Sequence, residues 1–164
     1  MVTTIKQPNK FVTSCLGLGL AIFFSATPVN AEDGHARQKK NHASVFLGGT
    51  NIPDADHTAF TLGIDLEHEL THRFGVGLVF EHAFDPIDAT SLYAVLDIHL
   101  GNGFVLQTGP GVEWVDDETY ATGRVGLFYE FEVQEGLILA PSVSYDISEA
   151  EDSIVFGVSV GTKF

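Results

Sequence analysis

The sequence has little cysteine and little positive charge, and both shortages narrow what the protein can do. Cys15 is the single cysteine among 164 residues, so no internal disulfide can form. Lysine and arginine together number 8 against 22 acidic residues, which gives a formal net charge of −14. Binding to a nucleic-acid backbone depends on clustered basic side chains, so we exclude nucleic acid as a partner.

The first 31 residues differ in character from the rest of the chain. Lys6 and Lys10 precede an apolar run over residues 11–24, and a small-residue cleavage pattern closes the segment. This arrangement predicts a secretory signal peptide over residues 1–31. Its removal takes away the cysteine and two lysines but no acid, which leaves six basic residues and a net charge of −16. The mature protein is therefore expected to be exported, acidic and free of disulfides.

After the predicted signal peptide, the sequence has no stretch with the 3.6-residue period of a helix and alternates instead between apolar and polar residues. The alternation recurs in eight segments of mostly about 10 residues, the length that a tilted membrane strand needs. Turn signals such as Gly101-Asn102-Gly103 separate the segments. The predicted strands cover residues 42–50, 57–70, 74–84, 92–100, 104–114, 122–133, 137–147 and 152–164.

Eight alternating strands predict an all-β fold, an eight-stranded antiparallel up-and-down β-barrel over residues 42–164. Residues 32–41 are polar and without periodicity, so we expect a flexible lead-in to the barrel. The direction of the apolar face decides between two kinds of barrel. Glycine crowds the polar face, where it makes room inside a narrow barrel but would only weaken strands that face solvent. We therefore predict a transmembrane barrel, with a soluble periplasmic calyx for a small hydrophobic ligand as the alternative.

The strand pattern resembles that of the small eight-stranded outer-membrane β-barrel proteins of the OmpX, OmpW and OmpA-barrel type. The apolar face of the last strand resembles the C-terminal signal that this family uses for assembly, and it comprises Phe156, Val158, Val160 and Phe164. The resemblance implies an integral outer-membrane protein of a Gram-negative bacterium, with its N-terminus in the periplasm. Outer-membrane lipid and the barrel-assembly machinery are the implied partners.

One candidate site is an ion pair inside the barrel. Folding the hairpins back on themselves places Arg124 opposite Asp146, and Glu113 on the neighbouring strand is expected to join them. A buried arginine needs a carboxylate partner. We interpret the pair as a structural plug, since eight strands leave room only for side chains. The alternative is a charged gate in a narrow small-solute channel.

A second candidate site is an acidic cluster at the periplasmic end of the barrel. Its members are predicted to point inward and are Glu67, Glu69, Asp97, His99, Glu130, Glu132 and Lys163. So many carboxylates need water, cations or shared protons nearby. We interpret the cluster as a solvated mouth without a metal. A metal site formed by Asp97, His99 and a nearby glutamate is the alternative.

The sequence offers no catalytic group that fits a known outer-membrane enzyme. Asp97 and His99 resemble the Asp-x-His pair of outer-membrane proteases, but those enzymes have more strands and a second acidic pair in long loops. We therefore predict a non-enzymatic protein without a cofactor and with a structural or surface-interaction role. The oligomeric state stays open.

Overall fold

The structure, a computed structural model, describes residues 40–164. The predicted signal peptide and most of the predicted lead-in lie outside these residues. Within the described range no helix is long and apolar enough to cross a membrane. The described chain folds into strands β1 (Asn41–Ile52), β2 (His57–Thr71), β3 (Phe74–Ala83), β4 (Ala89–Gly101), β5 (Phe104–Val115), β6 (Glu118–Tyr129), β7 (Phe131–Gln134), β8 (Leu137–Ser148) and β9 (Ser153–Lys163).

The strands close into one antiparallel barrel. The hydrogen-bonded order is β6-β5-β4-β3-β2-β1-β9-β8-β7, and β6 also pairs with β8, which completes the circle. Strand β7 continues the line of β6 after an interruption at Glu130, because both strands pair with β8. The nine segments therefore occupy eight strand positions, because β6 and β7 share one. The predicted eight-stranded all-β barrel is confirmed.

A proline accounts for the interruption that divides the sixth predicted strand. The register of β6 with β8 joins Phe128 to Ser142, and the register of β7 with β8 joins Phe131 to Leu139. The register does not shift between these pairs, so Pro141 falls opposite Tyr129. Proline has no N–H to donate to the ladder. The Glu130 N–H still donates to the Gly103 carbonyl at 2.7 Å on the other side of the strand.

The apolar face of every long strand points outward. Ile64 and its neighbour Leu62 are 50% and 41% exposed, whereas Thr61 between Phe60 and Leu62 is only 1% exposed. The interior holds small and polar side chains, with Phe46, Val79, Tyr93 and Val95 as buried apolar members. A soluble calyx needs its apolar face inside, so the structure excludes that alternative.

The two ends of the barrel differ. We call the end where β1 begins and β9 ends the terminal end, and the other end the opposite end. There the backbones of Asn41 and Phe164 exchange hydrogen bonds of 3.1 and 2.9 Å. Asn41, which we had expected to end the flexible lead-in, therefore begins β1. The β4–β5 turn at this end is tight, with positive φ angles at Asn102 and Gly103 that suit a two-residue hairpin.

Aromatic side chains ring the exterior near both ends of the barrel. One belt lies at the opposite end and comprises Phe60, Phe84, Trp114, Tyr145 and Phe156. The other lies at the terminal end and comprises Phe74, Phe104, Tyr129, Phe131 and Phe164. Exposed aliphatic residues such as Ile64, Leu78 and Leu127 fill the band between them. Two aromatic belts around an apolar band are typical of barrels that span a membrane.

Candidate functional site

The barrel interior is organised around one buried guanidinium. Arg124 in β6 is 2% exposed. Its Nε and Nη2 donate to the two carboxylate oxygens of Asp146, each at 2.7 Å. Its Nη1 and Nη2 donate to the two carboxylate oxygens of Glu81 at 2.8 and 2.5 Å. Two carboxylates thus bind one arginine bidentately, which is the strongest form of this interaction.

The fold brings these three groups together in two different ways. Arg124 and Asp146 are direct register partners on neighbouring strands β6 and β8, as the sequence predicts. Glu81 lies on β3 and reaches the guanidinium from across the barrel. The guanidinium carbon also lies 4.1 Å from the centre of the Tyr93 ring, and this ring is fully buried. A cation over an aromatic face adds a favourable contact that a desolvated site strengthens.

Glu113 does not join Arg124, contrary to the expectation from the sequence. Its Oε2 accepts a hydrogen bond from the Ser148 hydroxyl at 2.7 Å. Glu81 is the second carboxylate at Arg124, the role that the sequence analysis had given to Glu113. Pairing between adjacent strands suggests Glu113, whereas the arginine side chain extends across the interior to β3. We call Arg124, Glu81, Asp146 and Tyr93 the interior ion cluster.

The space around the interior ion cluster is small. Two cavities of about 10 Å³ each border Glu81. One also touches Phe46 and Ser144, and the other also touches Ser91 and Asp146. A cavity of this size holds about one water molecule. The cluster and its neighbours therefore fill the cross-section of the barrel at this level.

A second polar layer joins β2, β4 and β5. The Gln107 amide nitrogen donates to Asp65 Oδ2 and to Asp97 Oδ1, each at 3.0 Å. Asp97 is 3% exposed and lies deeper in the barrel than the solvated mouth in which the sequence placed it. Asp97 is therefore held in this buried polar layer by Gln107 and does not lie in a solvated mouth. His99, the other named member of the alternative metal site, bonds to Glu67.

Most other members of the predicted acidic cluster lie close together inside the terminal end. His99 Nε2 lies 2.8 Å from Glu67 Oε1. The Lys163 ammonium donates to Glu69 Oε1 at 3.2 Å and lies 3.6 Å from Glu130 Oε2. The structure thus brings these five predicted residues together. A sixth, His42, joins them although the sequence analysis did not select it. We call these six residues the mouth cluster.

His42 lies between two carboxylates of the mouth cluster. Its Nδ1 is 3.7 Å from Glu67 Oε2 and 3.8 Å from Glu130 Oε1. Both separations are too long for a direct hydrogen bond. His42 is the second residue of β1, whereas Glu130 lies between β6 and β7, so neighbouring-strand pairing gives no sign of the contact. The alternation of β1 does place His42 on the inner face with Ser44 and Phe46, and this was the signal available.

Glu132 lies on the inward face that the sequence predicted, since its register partner Ile138 is buried, but it is at the exposed rim beyond the mouth cluster. It is exposed, as are all four residues of β7. Its Oε1 accepts a hydrogen bond of 2.7 Å from the Gly136 N–H and so closes the β7–β8 turn. Alternation therefore assigns the face of Glu132 correctly, and its exposure follows from its position near the end of β7, beside the β7–β8 turn.

A cavity of about 420 Å³ lies at the terminal end beside the mouth cluster. Glu130 and Lys163 line it, together with Glu132 and Glu135 from the β7–β8 segment. Three carboxylates and one ammonium give this space an excess of negative charge. The mouth cluster therefore borders a space with a negative electrostatic potential.

The apolar residues of the last strand lie on the exterior. Phe156, Val158, Val160 and Phe164 are between 38% and 59% exposed. Strand β9 pairs with β1 on one side and β8 on the other, so it closes the barrel. Recognition of this strand by an assembly machinery stays a prediction.

Comparison with known proteins gives matches to solved structures only. No family model matches the chain. No curated protein matches it either. The N-terminal β-barrel domain of Pseudomonas aeruginosa OprF is 16% identical, with a TM-score of 0.61 over 77% of this chain and 100% of that one. Neisserial surface protein A is 15% identical, with a TM-score of 0.52 over 76% and 96%. Ail of Yersinia pestis, solved with a heparin analogue, is 12% identical, with a TM-score of 0.51 over 76% and 98%.

These matches define the class of protein by its architecture. The chain has the fold of the small eight-stranded outer-membrane β-barrels. Its closed eight-stranded sheet and outward apolar band are consistent with that fold. Identity of 12 to 16% carries the fold and nothing about ligands or partners.

Proposed function

We propose that the protein is an integral outer-membrane barrel with a structural or surface-interaction role and no enzymatic activity. One observation carries this proposal. The exterior is apolar and has an aromatic belt near each end, and the interior ion cluster fills the inside of the barrel. The exterior suits lipid, and the interior leaves no space for a substrate at the level of Arg124. The two ends are then the surfaces through which the protein meets other molecules.

Several features support insertion in the outer membrane with the terminal end in the periplasm. The predicted signal peptide provides export to the periplasm. The outward apolar residues of β9 provide a surface for the barrel-assembly machinery and then for lipid. Each of the four connections at the opposite end carries at least two aspartates or glutamates, and these connections would face outward from the cell.

The positions of the candidate catalytic groups support a non-enzymatic role. Asp97 bonds to Gln107, and His99 bonds to Glu67. In this arrangement each residue has a partner other than the one that the protease pair requires.

Cell fractionation tests the proposal directly. The protein should sediment with the outer membrane and should migrate differently on a gel before and after boiling, because a folded barrel resists detergent. In planar bilayers the purified protein should show no steady conductance. Recovery in the soluble periplasm without a mobility shift would contradict membrane insertion. A stable ohmic conductance would favour the narrow channel over the plug.

A further inference from the structure

We propose that His42, Glu67 and Glu130 bind a divalent transition-metal ion of the zinc class at the terminal mouth of the barrel. The three side chains come from the start of β1, the end of β2 and the junction of β6 with β7. One ligand atom from each lies within 4.8 Å of the other two. The proposal adds a binding site to the proposed structural role and does not depend on it.

The separations between the donor atoms fit a shared ion. Zinc binds histidine nitrogen and carboxylate oxygen at about 2.0–2.2 Å, so tetrahedral ligands lie roughly 3.3–3.6 Å apart. His42 Nδ1 lies 3.7 Å from Glu67 Oε2 and 3.8 Å from Glu130 Oε1. These distances exceed a hydrogen bond and are close to the edge of a coordination tetrahedron. Shifts of a few tenths of an ångström bring each His42–glutamate separation to that edge length, and the two glutamate oxygens lie within 4.8 Å of each other.

The second oxygen of each glutamate is held by a different basic residue. Glu67 Oε1 lies 2.8 Å from His99 Nε2, and Glu67 Oε2 faces His42. Glu130 Oε2 lies 3.6 Å from the Lys163 ammonium, and Glu130 Oε1 faces His42. The contact of Glu67 with His99 is a hydrogen bond, whereas that of Glu130 with Lys163 is an ion pair, and outer partners of this kind orient metal ligands. The carboxylates are therefore aimed at the position between them.

Glycines make the room that two of the ligands occupy. A Cβ at Gly75 would collide with the Glu67 carboxylate, and a Cβ at Gly161 would come 2.4 Å from His42 Nε2. At Gly75 the three nearest atoms all belong to the Glu67 side chain. Any larger residue at Gly75 must therefore displace Glu67. The 420 Å³ cavity lined by Glu130 supplies the route by which an ion enters.

The charge and the donor types indicate which ion the site takes. Glu67, Glu69 and Glu130 carry three negative charges against the single ammonium of Lys163. A divalent cation offsets this excess. The imidazole nitrogen favours zinc and its neighbours over magnesium and calcium, which prefer oxygen ligands alone. This site replaces the metal-free mouth expected from the sequence, and it differs from the Asp97–His99 alternative.

Titration calorimetry with Zn²⁺ on the untagged full-length barrel in detergent tests the site. We expect saturable one-to-one binding and no comparable binding of Mg²⁺. His42→Ala and Glu130→Gln should each weaken Zn²⁺ binding at least tenfold. His68→Ala is the matched control, because His68 lies at the same end on the exterior and bonds to Asn41. That variant should bind Zn²⁺ within twofold of the unchanged protein.

Gly75→Ala provides a test that leaves every donor in place. It should weaken Zn²⁺ binding at least tenfold while the unboiled gel mobility stays that of a folded barrel. Co²⁺ gives a second readout, because its visible absorption bands report coordination by protein ligands and should vanish in Glu130→Gln. If His42→Ala does not fold, Glu130→Gln and Gly75→Ala decide the question. Absence of saturable binding, or equal loss in His68→Ala, would overturn the proposal.

Discussion

Removal of the arginine at the centre of the interior ion cluster should strongly destabilise the barrel. Arg124→Ala leaves Glu81 and Asp146 with no counter-charge in positions that are 7% and 4% exposed. Breaking a buried ion pair in this way costs about 3–5 kcal/mol. Loss of the contact with Tyr93 adds to this cost, since desolvated cation–π contacts are worth about 2 kcal/mol. We expect the free energy of unfolding to fall by about 3–5 kcal/mol or more.

Urea unfolding from lipid vesicles measures this change. Trp114 is the single tryptophan and lies in the aromatic belt at the opposite end, so its fluorescence reports departure from the lipid. The loss of the unboiled gel form provides an independent readout of unfolding. Arg73→Ala is the control, because Arg73 lies in the exposed β2–β3 turn. A surface substitution of this kind is expected to change stability by less than about 0.5 kcal/mol.

A triple variant separates lost charge balance from lost packing. Arg124→Met together with Glu81→Gln and Asp146→Asn removes all three charges while keeping similar volumes. Replacing a buried ion group by uncharged residues is often neutral or stabilising, so most of the lost stability should return. A drop below about 1 kcal/mol in Arg124→Ala would refute the role assigned to the cluster. A triple variant as unstable as the single one would show that packing dominates.

Other perturbations test the exterior, the last strand and the interior. Ile64→Arg in the middle of the apolar band should cost about 2–4 kcal/mol in vesicle unfolding, whereas Leu70→Arg near the terminal end should cost about 0–1 kcal/mol; equal costs would contradict the depth assigned to Ile64. Phe164→Ala should lower the amount of protein in the outer membrane several-fold at unchanged synthesis, as measured by immunoblot of cell fractions. An unchanged amount would show that Phe164 is not part of the assembly signal. Gly48→Ala should destabilise the barrel by about 1–3 kcal/mol, because the added Cβ would collide with the Phe156 carbonyl of β9. An unfolding curve equal to that of the unchanged protein would contradict this close approach.

The alternation of the sequence predicts the architecture because side-chain direction along a strand has a fixed period of two. Ile64 and Thr61 fall on the faces that this period assigns to them. Register between neighbouring strands also follows from hairpin folding, and this is why Arg124 and Asp146 could be paired. The structure adds no correction at this level except the division at Glu130, where Pro141 removes a donor.

The contacts that cross the barrel could not be predicted in the same way. Glu81 lies on β3 and Arg124 on β6, and two other strands separate them along the sheet. His42 and Glu130 are separated similarly through β9 and β8. Such contacts depend on strand tilt and on the length of each side chain. Alternation and hairpin pairing carry no information about either quantity.

The order in which the barrel is assembled is constrained by its interior ion cluster. Glu81 is 43 residues before Arg124 along the chain, and Asp146 is 22 residues after it. A sheet that entered the membrane strand by strand would hold Glu81 without its counter-charge until β6 arrived. An uncompensated carboxylate in hydrocarbon is costly, and an open sheet edge there leaves backbone groups unpaired. Partial barrels are therefore disfavoured, and closure of the sheet and neutralisation of its interior should occur as one cooperative event.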